Sequence, residues 1–238
     1  MIPRRIHYCW FGHGEMPELA RKCIESWHKY MSDYEFILWN EENFDIESSP
    51  YVKEAYESGK YAFVSDVVRL NALNEWGGIY LDVDFEVYKS FDDLLSYKAF
   101  AGFEGSKHNP VMMGVIASEP HGEWVREQLK RYEGRHFIIN GKMDLTTNVK
   151  FVSDYMQTRG FIPNGLEQDY KDLHVFPVEY FCPRLTTGEY IKTENTYCEH
   201  KGLMSSWAKE SSLKGRIMSW FSPELQIRII KAKRKLLG

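Results

Sequence analysis

The amino-acid sequence predicts an α/β fold, a mostly parallel twisted sheet flanked by helices, and three features predict it. Short apolar, β-favouring runs alternate with segments of helical period through the first hundred residues. Glycines close two of those segments, at Gly12-His13-Gly14 and at Gly77-Gly78. A carboxylate pair, Asp82-Val83-Asp84, follows a strand directly, and strand C-terminal ends are where open α/β sheets gather their ligands.

The elements follow in order. Ile6 to Phe11 is a first strand entering the glycine loop, and Pro17 to Tyr30 is a helix, with Leu19, Cys23, Ile24 and Trp27 at helical spacing and Pro17 tolerated in the first turn. Tyr34 to Trp39 is a second strand, completing a β-α-β start. Tyr51 to Trp76 holds two helical stretches broken near Gly59, the second stopped by Gly77-Gly78. Ile79-Tyr80-Leu81 is a brief strand running into Asp82. Phe100 to Glu104 and Val111 to Ala117 read as two further buried strands. Thr146-Thr147-Asn148 is either a helix cap or, through Asn148, a donor-side element.

A chain of 238 residues with 43% apolar content buries one sizeable core. One domain over 1–212 is therefore expected, followed by a tail over 213–238. A net charge of −4 gives no global basic field, which argues against nucleic acid as a partner. Cys9, Cys23, Cys182 and Cys198 form no C-x-x-C pair and are expected as buried free thiols. No apolar run approaches the roughly 18 residues of a membrane span, and a cytoplasmic location is expected.

Two polar groupings stand out in apolar sequence. Residues two apart on an extended backbone point the same way, so Asp82 and Asp84 are expected to face one hard divalent cation. A solvated loop is the alternative for so short a motif. Asp66 and Arg69 are three apart on one helix face, which fits a surface salt bridge as well as a pair gripping sugar and phosphate oxygens.

Ile2-Pro3 through Trp10-Phe11-Gly12, Ala62 through Leu70, and Gly77-Gly78-Ile79-Tyr80-Leu81-Asp82-Val83-Asp84 together resemble the D-x-D-motif glycosyltransferase family 32, with a remoter likeness to the catalytic domains of clostridial glucosylating toxins. The resemblance implies a GT-A-like domain and a hexosyltransferase, retaining at the anomeric carbon. Its expected donor is a uridine diphosphate (UDP) sugar, galactose or glucose before guanosine-linked mannose, and its metal manganese, with magnesium as substitute. It implies that Trp10 stacks on the donor base, that Asp66 and Arg69 contact the donor sugar, that Asp84 ligates the metal, and that Asp82 contacts ribose or metal-bound water. Tyr197-Cys198-Glu199-His200 with Ser205-Ser206-Trp207 resembles the family's closing element. There His200 ligates the metal, with a surface histidine as the alternative, and Ser205 and Trp207 hold the β-phosphate. The implied acceptor is a saccharide of capsular or surface polysaccharide; a sugar on a polyprenyl diphosphate is the form of it that would explain the basic tail.

Two other classes stay open. Leu81-Asp82-Val83-Asp84 also fits an aspartate-dependent phosphatase, in which the first aspartate is the nucleophile, and a sugar-binding module without turnover keeps the same fold. At the C-terminus, Lys214, Arg216, Arg228, Lys231, Lys233, Arg234 and Lys235 face the single acidic Glu224. Leu225, Ile229, Ala232 and Leu236 form an apolar stripe among them, an amphipathic helix that fits an anionic membrane surface at the inner leaflet or docks on the domain.

Overall fold

The computed structural model describes residues 1–105, 109–185 and 187–202. Strand β1 (Arg5–Cys9) leads through helix α1 (Glu18–Tyr30) to β2 (Glu35–Trp39). Helices α2 (Pro50–Glu57) and α3 (Tyr61–Trp76) follow, then β3 (Gly78–Leu81), β4 (Phe85–Val87), β5 (Ala99–Phe103) and β6 (Val111–Ser118). Helix α4 (Glu123–Lys130), the hairpin of β7 (Ile138–Ile139) and β8 (Lys142–Met143), helix α5 (Asn148–Gln157), and strands β9 (Gln168–Tyr170), β10 (Leu173–Phe176) and β11 (Cys198–His200) complete the order.

Seven strands form one sheet in the order β2-β1-β3-β6-β5-β10-β9. The expected parallel character holds for β2-β1-β3 and for β5-β10. It fails at β6, which runs antiparallel to both β3 and β5, and at β9. The sheet is therefore mixed. Only residues 104–110 connect β5 to β6, fewer than the roughly dozen a parallel crossover needs, so β6 returns antiparallel beside β5.

Strand alternation sends side chains to a core on each face. Tyr80, Ala101, Met113 and Ile116 pack with α2 to α5, whereas Ile79, Leu81, Phe100 and Val115 pack with α1, β4 and Phe181. Helix α3 is buried around most of its circumference, carrying Phe63, Val64, Val67, Val68, Leu70 and Leu73 inside, as expected of a helix apolar all round. Two of its charged residues, Asp66 and Arg69, are consequently carried into the interior. The helix stops at Gly77, whose φ of +59° places it in the left-handed region and whose N–H returns to Leu73 O at 2.9 Å.

The four cysteines are free and buried, as expected. Among the described residues no helix is long and apolar enough to cross a membrane. The expected tail over 213–238 lies outside the described residues, as do Ser205 and Trp207.

Candidate active site

Asp66 and Arg69 are three residues apart on α3 and form an ion pair of 3.1 Å with side chains only 8% and 5% exposed. Of the two readings open for this pair, the surface bridge does not hold: both side chains are buried because α3 has no solvent face at this level. Removing both charges from water needs a full set of partners, and the structure supplies them. Arg69 Nε donates to Ser65 O at 3.1 Å, Nη1 donates to Met113 O at 2.5 Å, and the guanidinium lies 4.5 Å from the centre of the Tyr80 ring. Asn148 Nδ2 donates to Asp66 Oδ1 at 2.6 Å. Burial pushes the Asp66 carboxyl up to about 7, against the pull of the Arg69 guanidinium.

Tyr80 and Asp82 are two apart at the end of β3 and share its α3-facing side. Tyr80 Oη donates to Asp82 Oδ1 at 2.8 Å, and Arg69 Nη2 lies 3.4 Å from the same oxygen. Asp82 therefore joins the Asp66–Arg69 network from the sheet side. Gly114 of β6 faces it: a Cβ there would lie 2.8 Å from Asp82 Oδ2 and 2.6 Å from the Phe85 ring, so only glycine leaves this carboxylate its place.

Asp82-Val83-Asp84 is not the extended backbone expected, and its two carboxylates take different partners. Phe85 N–H donates to Asp82 O at 3.1 Å, closing a turn over Asp82-Val83-Asp84. The turn sends Asp84 to a different partner. β11 pairs antiparallel with β4, setting His200 opposite Phe85, and Lys201 N–H donates to Asp84 O at 2.8 Å. His200 Nε2 then lies 3.0 Å from Asp84 Oδ2, its ring stacked on Phe85 with centroids 4.8 Å apart. Although burial works to lower it, the His200 imidazole is held above its ordinary pKa by the Asp84 carboxylate.

Asp66, Arg69, Asp82, Asn148 and His200 line one open cleft, and Asp84, 7% exposed, meets it through His200. Among the described residues no group of three or more His, Cys, Asp or Glu side chains is arranged to hold a metal. The donors that are present fit a hard cation in part. A carboxylate and an imidazole face each other at the cleft, and such cations commonly take one or two protein ligands and draw the rest from substrate phosphates and water. Trp10 does not line this cleft. It leaves the same end of the sheet on the strand beside β3, and its indole N–H donates to Gly14 O at 2.5 Å, bracing the glycine loop.

Thr147 and Asn148 divide the two expectations made for their segment. Thr147 caps α5, accepting from Lys150 N–H at 3.3 Å, while Asn148 reaches Asp66. Sequence reasoning missed Tyr80, Gly114 and Glu41. The last accepts from Gly12 N–H at 2.6 Å and from Tyr56 Oη at 2.9 Å, and so fixes the glycine loop. Tyr80 was accessible from strand parity with Asp82. Gly114 and Glu41 carried no local signal, because each acts across the fold.

Residues 17–101 match the model of the glycosyltransferase sugar-binding region containing a DXD motif. Inositol phosphoceramide mannosyltransferase 3 of Schizosaccharomyces pombe is 36% identical over 140 residues, covering 50% of this chain and 37% of that protein. A mannosyl phosphorylinositol ceramide synthase of Saccharomyces cerevisiae is 28% identical over 147 residues, covering 58% of this chain and 37% of the relative. The chain thus spans little more than a third of the length of these relatives. Among solved structures, the PaToxG glycosyltransferase aligns at a TM-score of 0.48 with 16% identity, covering 67% of this chain and 70% of that one.

Proposed function

Because residues 17–101 match the model of the glycosyltransferase sugar-binding region containing a DXD motif, we propose that this chain transfers a hexose from a nucleoside diphosphate sugar to a glycan acceptor. One observation carries the reading: a buried cation–carboxylate pair on α3 and a carboxylate at the end of β3 converge on a single cleft. That is an arrangement for gripping a polar, hydroxyl-bearing ligand against a prearranged charge network.

In this reading Asp66, held by Arg69 and Asn148, is a fixed acceptor for sugar hydroxyls. Arg69 cannot lose its proton and faces the sugar and phosphate oxygens. Asp84 and His200 would hold the divalent cation, manganese before magnesium, and Asp82 would contact ribose or water on that cation. When bound, that cation supplies Lewis-acid stabilisation of the departing diphosphate. Trp10 offers its ring to the donor base from the neighbouring strand, and Ser205 and Trp207 are assigned to the β-phosphate. With Asp66 and Asp82 both engaged by Arg69, front-face displacement with retention is the proposed course.

The proposed donor is a UDP-hexose, galactose or glucose. A second reading, nucleotide-activated mannose, is favoured by the relatives, whose names describe mannosyl transfer. The proposed acceptor is a saccharide of surface or capsular polysaccharide on a polyprenyl diphosphate. Relatives named for a ceramide support an acceptor borne on lipid. We further propose that residues 213–238 form a separate basic tail that holds the enzyme peripherally on the inner face of the membrane, on the strength of its seven Lys and Arg residues against one Glu.

The test is a donor panel with manganese: UDP-galactose, UDP-glucose and GDP-mannose, beside a generic phosphate ester. Consumption of a nucleotide sugar supports the transferase, and consumption of GDP-mannose alone overturns the uridine preference. Hydrolysis of the ester with all donors untouched favours the phosphatase.

A further inference from the structure

Next to the cleft of Asp66, Arg69 and Asp82, one carboxylate stands unanswered. Glu104 follows β5 directly, where the β5–β6 register shifts between Ala101 and Phe103, and its backbone N–H donates to Pro110 O at 2.8 Å. Its side chain lines that cleft and also a second one, formed with Gly105, Arg184, Leu185, Glu199 and Lys201; Glu104, Cys182 and His200 are common to both. Glu104 therefore stands at the boundary between the two.

The neighbouring acids are all engaged. Asp66 is bound by Arg69 and Asn148, Asp82 by Tyr80 and Arg69, and Asp84 by His200. Glu199, 2% exposed, accepts from Tyr88 at 2.6 Å, Tyr190 at 2.8 Å and Arg184 at 3.1 Å, with Lys201 at 3.3 Å. Glu86 pairs with Lys201 at 2.7 Å. Among the described residues, the Glu104 carboxylate has neither a hydrogen-bond partner nor an ion-pair partner. Burial pushes its carboxyl up, opposed by the charge of His200. The other reactive group of the shared wall, the Cys182 thiol, is also pushed up by burial, which suppresses its thiolate.

A partly buried carboxylate without a partner costs stability unless a ligand completes it. Placed where the two clefts meet, it has the position a proton acceptor needs when the donor lies in one cleft and the acceptor hydroxyl reaches it from the other. In the second cleft Arg184 and Lys201 are neutralised by Glu199 and Glu86, so its charges are satisfied internally and it suits an uncharged, hydroxyl-rich group.

We propose that Glu104 is the acceptor-side carboxylate, hydrogen-bonding the attacking hydroxyl and taking its proton while the second cleft holds the rest of an uncharged polyhydroxylated acceptor. The inference rests on the glycosyl-transfer reading above. In the step, the hydroxyl proton passes to Glu104 and the hydroxyl oxygen bonds to the anomeric carbon. The bond from that carbon to the diphosphate oxygen breaks, its electron pair leaving with the nucleoside diphosphate, and Glu104 afterwards returns its proton to water.

The experiment compares wild type, Glu104→Gln and Glu104→Asp in consuming UDP-galactose, UDP-glucose and GDP-mannose with manganese, water serving as acceptor, beside the affinity for UDP with manganese and the melting temperature. The expected result is a loss of at least about 100-fold in donor consumption for Glu104→Gln, with a smaller loss for Glu104→Asp. UDP affinity stays within about twofold, since the donor grip is untouched. The melting temperature of Glu104→Gln is equal or higher, because an unanswered charge has been removed. Wild-type consumption in Glu104→Gln would overturn the proposal, placing the proton on the leaving diphosphate instead. So would a parallel loss of UDP binding or of melting temperature, which would make Glu104 a donor-site or structural residue. A wild-type protein that consumes none of the three donors would refute glycosyl transfer itself, and the Glu104 assignment with it.

Discussion

His200 Nε2 and Asp84 Oδ2 stand 3.0 Å apart although 116 residues separate them in the chain, and the pairing of β11 with β4 is what brings them together. Replacing His200 with Ala removes an imidazole but no strand hydrogen bond. The fold is expected to persist, and the manganese concentration for half-maximal stabilisation by UDP is expected to rise by about tenfold or more. A metal titration followed by thermal shift measures this directly, and an unchanged midpoint would remove His200 from the metal site.

The Asp66–Arg69 pair separates folding from function. Asp66→Ala leaves Arg69 buried with its network broken, and a loss on the order of 3 kcal/mol in urea unfolding is expected. Asp66→Asn keeps an oxygen for Arg69 and Asn148 and should lose much less stability, while donor consumption falls because the charged sugar acceptor is gone. Equal stability loss in both variants would show that charge, and not hydrogen bonding, holds this part of α3.

Much of this site was legible in the sequence, and what escaped has a physical reason. The β-α-β start, the broken helix before Gly77-Gly78 and the strand feeding Asp82 were read from periodicity, since local hydrophobic spacing determines which segments can bury a face. The antiparallel insertion of β6 was not, because pairing depends on what lies between strands and not on the strand's own apolar run. Asp66 and Arg69 were singled out by chemistry, yet their burial followed only from α3 being packed on nearly every side. The turn over Asp82-Val83-Asp84, which parts the two carboxylates, is set by β4 leaving the main sheet to pair with β11, a contact with no local sequence trace.

His7 makes stability depend on pH. It is fully buried; its Nε2 faces Gly77 O at 2.8 Å and the Trp39 indole N–H donates to its Nδ1 at 3.0 Å, which assigns the neutral ring with its proton on Nε2. Burial lowers its pKa from 6.5 to about 4. Between those values the unfolded chain binds more protons than the folded one, so stability rises with pH across the window and is lost as pH falls from 6.5 toward 4. The full effect is about 3 kcal/mol. Urea unfolding at several pH values should show this slope in the wild type and a flatter one in His7→Gln.

Membrane association tests the role of residues 213–238. Full-length protein should float with anionic liposomes at low salt, lose that binding as salt is raised, and stay at the bottom when truncated after residue 207. Full-length protein that sediments like the truncated form would show that the basic tail has another use.

The most direct test of the central claim is nucleotide binding by calorimetry, with UDP offered to wild type and to Asp84→Asn, each with and without manganese. The substitution removes a charge at nearly constant volume, so the fold should survive. Wild type is expected to bind UDP at least about tenfold more tightly with manganese, and Asp84→Asn to bind UDP weakly and equally in both conditions. Manganese-dependent UDP binding of wild-type strength in folded Asp84→Asn would contradict it.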